Sequence, residues 1–475
     1  MSDILNLQPK LIWKYFHEIT QIPRPSKKEE KIRQYLINFA NAHGLKVKTD
    51  EIGNILITKT ATAGKENCTA IVLQSHIDMV CEKNPDSTHN FDTDAIETHI
   101  EDDWVKANGT TLGADNGIGM AAQLAVLADK SLKHGIVECL FTVDEETGLT
   151  GAFALKADFF TAKTLINLDS EDDGELFIGC SGGVDTIIEF ELNKEVVAEA
   201  HGLKIEIGGL LGGHSGDDIN KGRVNANKLL ARILYHLKTK CSFNLCTITG
   251  GNLSNAIPRN AQATISSHGD IMPDVQHIIE IIKNEIASDE TNVNIIISNA
   301  NVNSGYSSEN SAKIIDALYF APNGIIDMNA SVPGLVETST NLASIKEKDE
   351  KLMIVTSQRS ASVTKRDEIA FLISQLFINY GGKANHEGYY PGWKPNTNSE
   401  ILKKTKAIYE QLFNEEPIIR AIHAGLECGL FLEKYPYLDM ISFGPTIRDA
   451  HSPDEKLSIS AVEKFWKLLV AVLEQ

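Results

Sequence analysis

The stretches "TAIVLQSHIDMV", "IVECLFTVDEETG" and "TLINLDSEDD" constrain this chain most. The first begins as a continuous apolar run, the pattern of a strand covered on both faces. The other two also read as strands, and each of the three leads into histidine or acid. A helical pattern from about Gly117 to Asp129 separates the first from the second. Buried strands alternating with helices predict an α/β domain of three layers around a mixed sheet. In such a sheet ligands collect beyond the carboxyl ends of the strands. Like charges repel, so folding alone gives no reason to set Asp144, Glu145 and Glu146 side by side. A cation at that place does, with the carboxylates divided between holding it and moving protons.

Upstream, Ser26 followed by Glu29 reads as a capping box. It opens a helix through Ile32, Tyr35, Leu36 and Phe39 that ends at Gly44. "LKVKT" and "NILITK" read as a hairpin around Gly53. At 475 residues the chain exceeds the size at which one core stops growing, so two domains are expected. Residues 184–381 change character. They give strands at 203–210, 243–249, 256–267, 292–298, 334–345 and 352–360, with helices at 225–238, 273–285, 308–320 and 365–379. This is a split β-α-β arrangement, of ferredoxin-like type, used twice. It lacks the acid and histidine clusters of its flanks, so an inserted lid domain is expected at 184–381 within a catalytic domain of 1–183 and 382–475.

A net charge of −19 excludes the basic surface that nucleic-acid phosphates need. No basic segment followed by an apolar core opens the chain, and no apolar run reaches the roughly 18 residues of a membrane span. Seven cysteines, none in a C-x-x-C pair, fit free thiols in a reducing compartment. The expectation is a cytoplasmic protein without membrane partners.

Residues two apart on a strand share a face, so His76 and Asp78 point the same way. Either they are a core histidine beside a capping acid, or Asp78 orients His76 as a ligand. Asp115, in the glycine-rich "TTLGADNGIGM", is an N-cap, part of an anion-cradling turn or a metal ligand. The spacing matches neither G-x-G-x-x-G nor the phosphate loop. His76, Asp115, Glu145, Glu146 and Asp169 fall at strand ends or in the turns after them, and His451 in "SFGPTIRDAHSPDE" follows another apolar strand. Two histidines with several carboxylates and no cysteine suit a pair of hydrolytic metals that share a bridging carboxylate. Adjacent residues diverge, so Glu146 is expected to ligate and Glu145 to take a proton from water. Asp144 is left as a solvated or supporting carboxylate.

With these residues assembled, the chain resembles the co-catalytic zinc peptidases of the aminoacylase and carboxypeptidase type. Within them it resembles the aminoacyl-histidine dipeptidases, also called Xaa-His or cytosol non-specific dipeptidases. The likeness runs through "GNILI", "SHIDMV", "GTTLGADNGIGMA", "EETG", "GGHSG", "NANKLL", "NAIPR", "YPGW", "HAGLECGLF" and "HSPDE". It implies two Zn2+ per chain, with Co2+ or Mn2+ as substitutes. One ion would be held by His76 and Asp169 and the other by Glu146 and His451, with Asp115 bridging through a turn whose Asp115–Asn116 bond is cis. It further implies that Asp78 orients His76, that Glu145 is the general acid and base, and that His214 stabilises the oxyanion. Asn255, Arg259 and Arg359 are implied for the substrate carboxylate, and His423 and Glu427 for its amino end. The activity implied is hydrolysis of unblocked dipeptides, including Xaa-His and β-alanyl-histidine. Rivals are an aminoacylase or amide deacylase on N-acyl amino acids, and a silent metal-binding scaffold. Relatives commonly pair through the lid, so a homodimer is expected, although a doubled lid can serve the same end within one chain. The likeness thins after Arg359 and Ser360 and has no anchoring motif across 285–330.

Overall fold

The computed structural model describes residues 3–197, 201–286 and 288–475. It divides into two compact units, one of Met1–Gly179, Pro395–Ala421 and Glu427–Gln475, the other of Cys180–Lys394 and Ile422–Leu426. The chain is an α/β protein with a mixed sheet of eight strands and a separate antiparallel sheet.

In the eight-stranded sheet the order is Lys46–Thr49, Ile55–Lys59, Val137–Thr142, Ile71–His76, Thr164–Asn167, Asp439–Ser442, Glu175–Cys180 and Ile418–Ile422. Its centre is parallel: His76 lies opposite Thr142, and Gln74 opposite Asn167, which in turn faces Ser442. Four strands therefore end together, and the segments that leave them carry Asp78, Glu145 and Glu146, Asp169 and, further on, His451. Every residue of Ile71–His76 and Val137–Thr142 is buried, which is why neither strand alternates apolar with polar residues.

Helix Ala114–Ala128 is apolar on all sides because nearly all of it is buried. It packs on helix Lys10–Thr20, whose Phe16 ring comes within 3.4 Å of where a Cβ at Gly117 would stand. Trp13 and Phe16 are fully enclosed, each stabilising the fold by about 1.5–3 kcal/mol on burial. The next helix corrects the capping-box expectation. It runs Glu30–Ala42, with Glu29 at its N-cap making no side-chain cap. Ser26 Oγ instead donates to Asp78 Oδ2 at 2.8 Å, and Glu29 Oε1 accepts the N–H groups of Lys27 and Asp144. Ser26 is taken by a distant partner, and Glu29 divides its oxygen between a local amide and a distant one, which a local spacing rule does not see.

The second unit contains an antiparallel sheet that carries the β-α-β-β-α-β order twice, one copy nested in the other. The inner copy is strand His201–Gly208, helix Ala226–Lys238, strands Asn244–Gly250 and Ala261–Ser267, helix Met272–Ile286 and strand Asn294–Ala300. The outer copy begins with Gly182–Phe190 and resumes after the inner one with helix Ser308–Phe320, strands Val336–Lys348 and Lys351–Ser360, helix Val363–Asn379 and strand Lys383–Tyr390. The two four-strand sets join edge to edge where Gly250 faces Ile345. The strand expected at 256–267 is interrupted: Ala256–Ile257 pairs with Gly213–His214, and Ala261–Ser267 with the main sheet. Pro258 lies at the break, where it has no N–H to give a ladder.

Candidate metal centre

His76 ends its strand fully buried, with Nδ1 3.2 Å from Asp78 Oδ1 and Nε2 3.0 Å from Asp115 Oδ1 and 3.4 Å from Asp169 Oδ1. Asp115 Oδ2 is in turn 3.1 Å from His451 Nε2, which is also 3.1 Å from Glu146 Oε2. One carboxylate thus stands between two imidazoles, each with a further carboxylate beside it. The potential ligand atoms of His76, Asp115 and Asp169 lie within 4.8 Å of one another, as do those of Asp115, Glu146 and His451. Those of His76, Glu145 and Glu146 do so as well. The peptide bond between Asp115 and Asn116 is cis, and Asn116 Nδ2 donates to Asp169 Oδ1.

Electrostatics shows that this cluster calls for positive charge. Burial would depress His76, yet Asp169, Asp115 and Asp78 hold its imidazole well above the usual range. Hydrogen bonds to Asp115 and Glu146 push His451 up to about 11. Burial would raise Asp115, but the two imidazoles hold it below the ordinary carboxylate range. Protons on the rings stand in for cations. Glu146 Oε1 is buried without a partner, a free acceptor of the kind a metal ligand needs. The donor set, two imidazoles with carboxylates and no thiolate, fits a pair of borderline or hard divalent ions.

Asp78 carries the backbone beneath the centre. Its Oδ1 accepts the N–H of Glu145 at 3.0 Å and its Oδ2 that of Glu146 at 3.2 Å. Burial would raise its pKa, but the bonds from His76, Glu145 and Ser26 bring it down to about 2, so it stays an acceptor. Glu145 differs: burial, with Asp169, Glu427 and Glu146 nearby, holds its carboxyl well above the usual range despite His76. Asp144 is buried and accepts the hydroxyls of Thr147 and Thr150, which corrects the solvated alternative. Glu427, at the start of helix Glu427–Lys434, is fully buried and accepts from Gln74 Nε2 at 2.6 Å and Thr142 Oγ1 at 2.8 Å. Burial lifts it to about 8.

In the second unit, His214 Nδ1 lies 3.3 Å from Asp217 Oδ2, and His423 Nε2 is 2.7 Å from Ser339 Oγ. Gly216 sits between them: a Cβ there would be 2.3 Å from the His423 carbonyl and 3.0 Å from the His214 ring. Arg359 is buried and donates from Nη1 to the Tyr390 hydroxyl at 3.0 Å. Asn255 and Arg259 line a cleft of about 990 Å³ that also takes in His214. Arg359 and His423 do not line that cleft.

Several participants carried no signal that showed their role. Glu171 is a largely buried carboxyl lifted to about 8 by burial and by Asp115 and Asp169. Glu455, Arg24, Ser26 and Asp217 act through backbone or through other side chains, and the motifs around them do not point to those contacts.

The model of peptidase family M20/M25/M40 matches residues 72–475. The cytosol non-specific dipeptidase of Escherichia coli (strain K12) is 42% identical over 481 aligned positions, which cover 100% of this chain and 99% of that protein. The crystal structure of the aminoacylhistidine dipeptidase from Vibrio alginolyticus superposes with a TM-score of 0.92 at 42% identity, covering 100% of this chain and 98% of that one. The aminopeptidase PepT from Bacillus cereus shares the fold, with a TM-score of 0.57 at 18% identity and 98% of each chain covered.

Proposed function

The chain belongs to peptidase family M20/M25/M40, and from that premise we propose that it hydrolyses unblocked dipeptides, Xaa-His and β-alanyl-histidine among them. It is a metallopeptidase of the cytosol non-specific, or aminoacylhistidine, dipeptidase type. The observation that carries the residue roles is Asp115 set between His76 and His451 with Glu145 alongside.

In this reading His76 and Asp169 would hold one ion, Glu146 and His451 the other, and Asp115 would serve both. Two zinc ions, with cobalt or manganese as substitutes, would supply Lewis acidity there and lower the pKa of a water so that it could give up a proton near neutral pH. Glu145 takes the water's proton and returns it to the leaving amine nitrogen. Its raised pKa suits that exchange, and the backbone bond to Asp78 holds it in place. Asp78 keeps His76 in one tautomer by accepting from Nδ1. The second unit is read as the inserted lid, a ferredoxin-like design used twice. His214 is read as the oxyanion donor, Asn255, Arg259 and Arg359 as binding the substrate carboxylate, and His423 and Glu427 as candidates for the amino end. The cytosol is the compartment proposed, in line with the Escherichia coli relative's name.

The test is β-alanyl-histidine hydrolysis by the zinc-loaded protein, repeated with the N-acetylated substrate and with Glu145→Ala. Hydrolysis of the free-amine substrate alone is expected, falling by roughly 10²–10⁴-fold in the variant while zinc stays bound. Preference for the acetylated substrate would move the assignment to an amide deacylase.

A further inference from the structure

Four successive backbone N–H groups converge on one buried side chain. Glu455 Oε2 accepts from Leu112 at 2.7 Å and Gly113 at 2.8 Å, and Oε1 from Ala114 at 2.8 Å and Asp115 at 3.2 Å. Gly113 makes the convergence possible by taking a left-handed conformation, φ +69°, which turns consecutive amides toward one side as an anion-holding concavity. The opposite side of the turn is held by a cation. Arg24, also buried, donates from Nη2 to the Gly113 carbonyl and from Nη1 to the carbonyls of Asp78 and, at 3.1 Å, Ile77. A Cβ on Gly113 would stand 2.6 Å from Arg24 Nη2 and 2.9 Å from Met79 Sδ, so the guanidinium seats directly on the turn.

Arg24 and Glu455 bind backbone from the two segments that carry His76 and Asp115, and Glu455 itself belongs to the segment that carries His451. Arg24 ties the strand end at 77–78 to the turn, and Glu455 ties the turn to the loop that begins with His451, four residues earlier in the chain. Glu455 touches no ligand side chain. Its part is to fix where the Asp115 backbone stands relative to His451.

We propose that Glu455 is a positioning residue of the metal centre, its carboxylate setting the Asp115 turn so that one aspartate serves both ions. The inference rests on the reading of Asp115 and His451 as metal ligands. Glutamine is a demanding probe at this position. Its amide keeps the size but replaces an acceptor oxygen with an NH2 that faces backbone donors. Aspartate keeps both acceptors and falls short by one methylene.

The experiment measures zinc affinity by competition with a chromogenic chelator for the full-length protein and for Glu455→Gln, Glu455→Asp and Asp115→Ala. Dipeptide kcat and KM and the melting of the metal-free proteins are measured alongside. Glu455→Gln is expected to bind zinc roughly 10–100-fold more weakly. Its kcat should fall while KM stays within about threefold, because substrate contacts are untouched. Glu455→Asp should lie between Gln and wild type, and it carries the test if Gln does not fold. Affinity in Gln, or in Asp where Gln is insoluble, within about twofold of wild type overturns the inference. So does a lower melting temperature with affinity and kcat unchanged, which would make Glu455 a fold residue only. If Asp115→Ala loses zinc while Glu455→Gln keeps it, the positioning role alone has failed. If Asp115→Ala also keeps wild-type affinity, the metal reading has failed with it.

Discussion

Glu145 and Glu146 share a backbone anchor in Asp78, which accepts from both amides, but they face different surroundings. Glu146 meets His451 at 3.1 Å, whereas Glu145 is held among acids that make its proton hard to lose. Chain neighbours on a tight turn thus meet the different surroundings that the proposed division into ligand and base needs. His423 provides a residue-level test in the second unit. Burial, helped by Arg359, pushes its pKa down to about 3, below the value near 6.5 of an unfolded chain. Between these values the unfolded state binds more protons, so the contribution of His423 is complete above pH 6.5 and is lost as pH falls. Wild type should lose up to about 1.4 kcal/mol of stability per pH unit more than His423→Gln between pH 6.5 and 4. Urea melts across that range read the difference in slope. Legibility at this scale followed chemistry type: the H-x-D pair and the doubled glutamate announce themselves because strand and turn geometry dictate where they point. Ser26, Arg24 and Glu455 were opaque because each spends its polar atoms on residues 52 to 343 positions away, and short-range spacing carries nothing about such partners.

Helix Ala226–Lys238 shows how the "NANKLL" motif works on an element. Asn225 caps it by accepting from Lys228 N, and its Nδ2 donates to Asn341 and to the Leu342 carbonyl in the outer copy of the fold. Asn227 reaches the same Leu342 carbonyl. Lys228 Nζ donates to the carbonyls of Leu318, Tyr319 and Ala321 at 2.9, 2.6 and 2.7 Å. Those are unpaired carbonyls at the end of helix Ser308–Phe320, where a cation also meets the helix dipole favourably. The first helix of the inner copy therefore stitches itself to the outer copy. Lys228→Met should destabilise the second unit by about 1.5–3 kcal/mol, and amide exchange at the end of helix Ser308–Phe320 should quicken first. A smaller loss in an exchange experiment than at an unrelated surface lysine would contradict this. The periodicities that predicted the helices held within a few residues, since amphipathic faces are local. The nesting of the copies and their seam at Gly250 and Ile345 are pairings between distant strands, which periodicity does not encode.

For the whole molecule, the metal-capable clusters among the described residues all lie in the first unit. In a chain of net charge −19, stripping cations from Asp115, Glu146 and Asp169 leaves buried carboxylates to be offset by protons alone. Chelation should lower the melting of the first unit and leave that of the second in place. Zinc at a hundredfold excess over Kd should restore about 2.7 kcal/mol per site. Calorimetry with and without chelator separates the transitions, and an equal shift of both would count against a metal confined to one unit. The order of the ligands along the chain has a further effect, on the newborn protein. His76, Asp115, Glu146 and Asp169 are synthesised early, and His451 follows Asp169 only after 282 more residues. At about 5–20 residues per second, that interval is roughly 15 to 60 s. Throughout it the nascent chain carries only the first four of the proposed ligands. On the proposed ligand set the late histidine acts as a timer, because the metal pair cannot be completed before His451 has been translated.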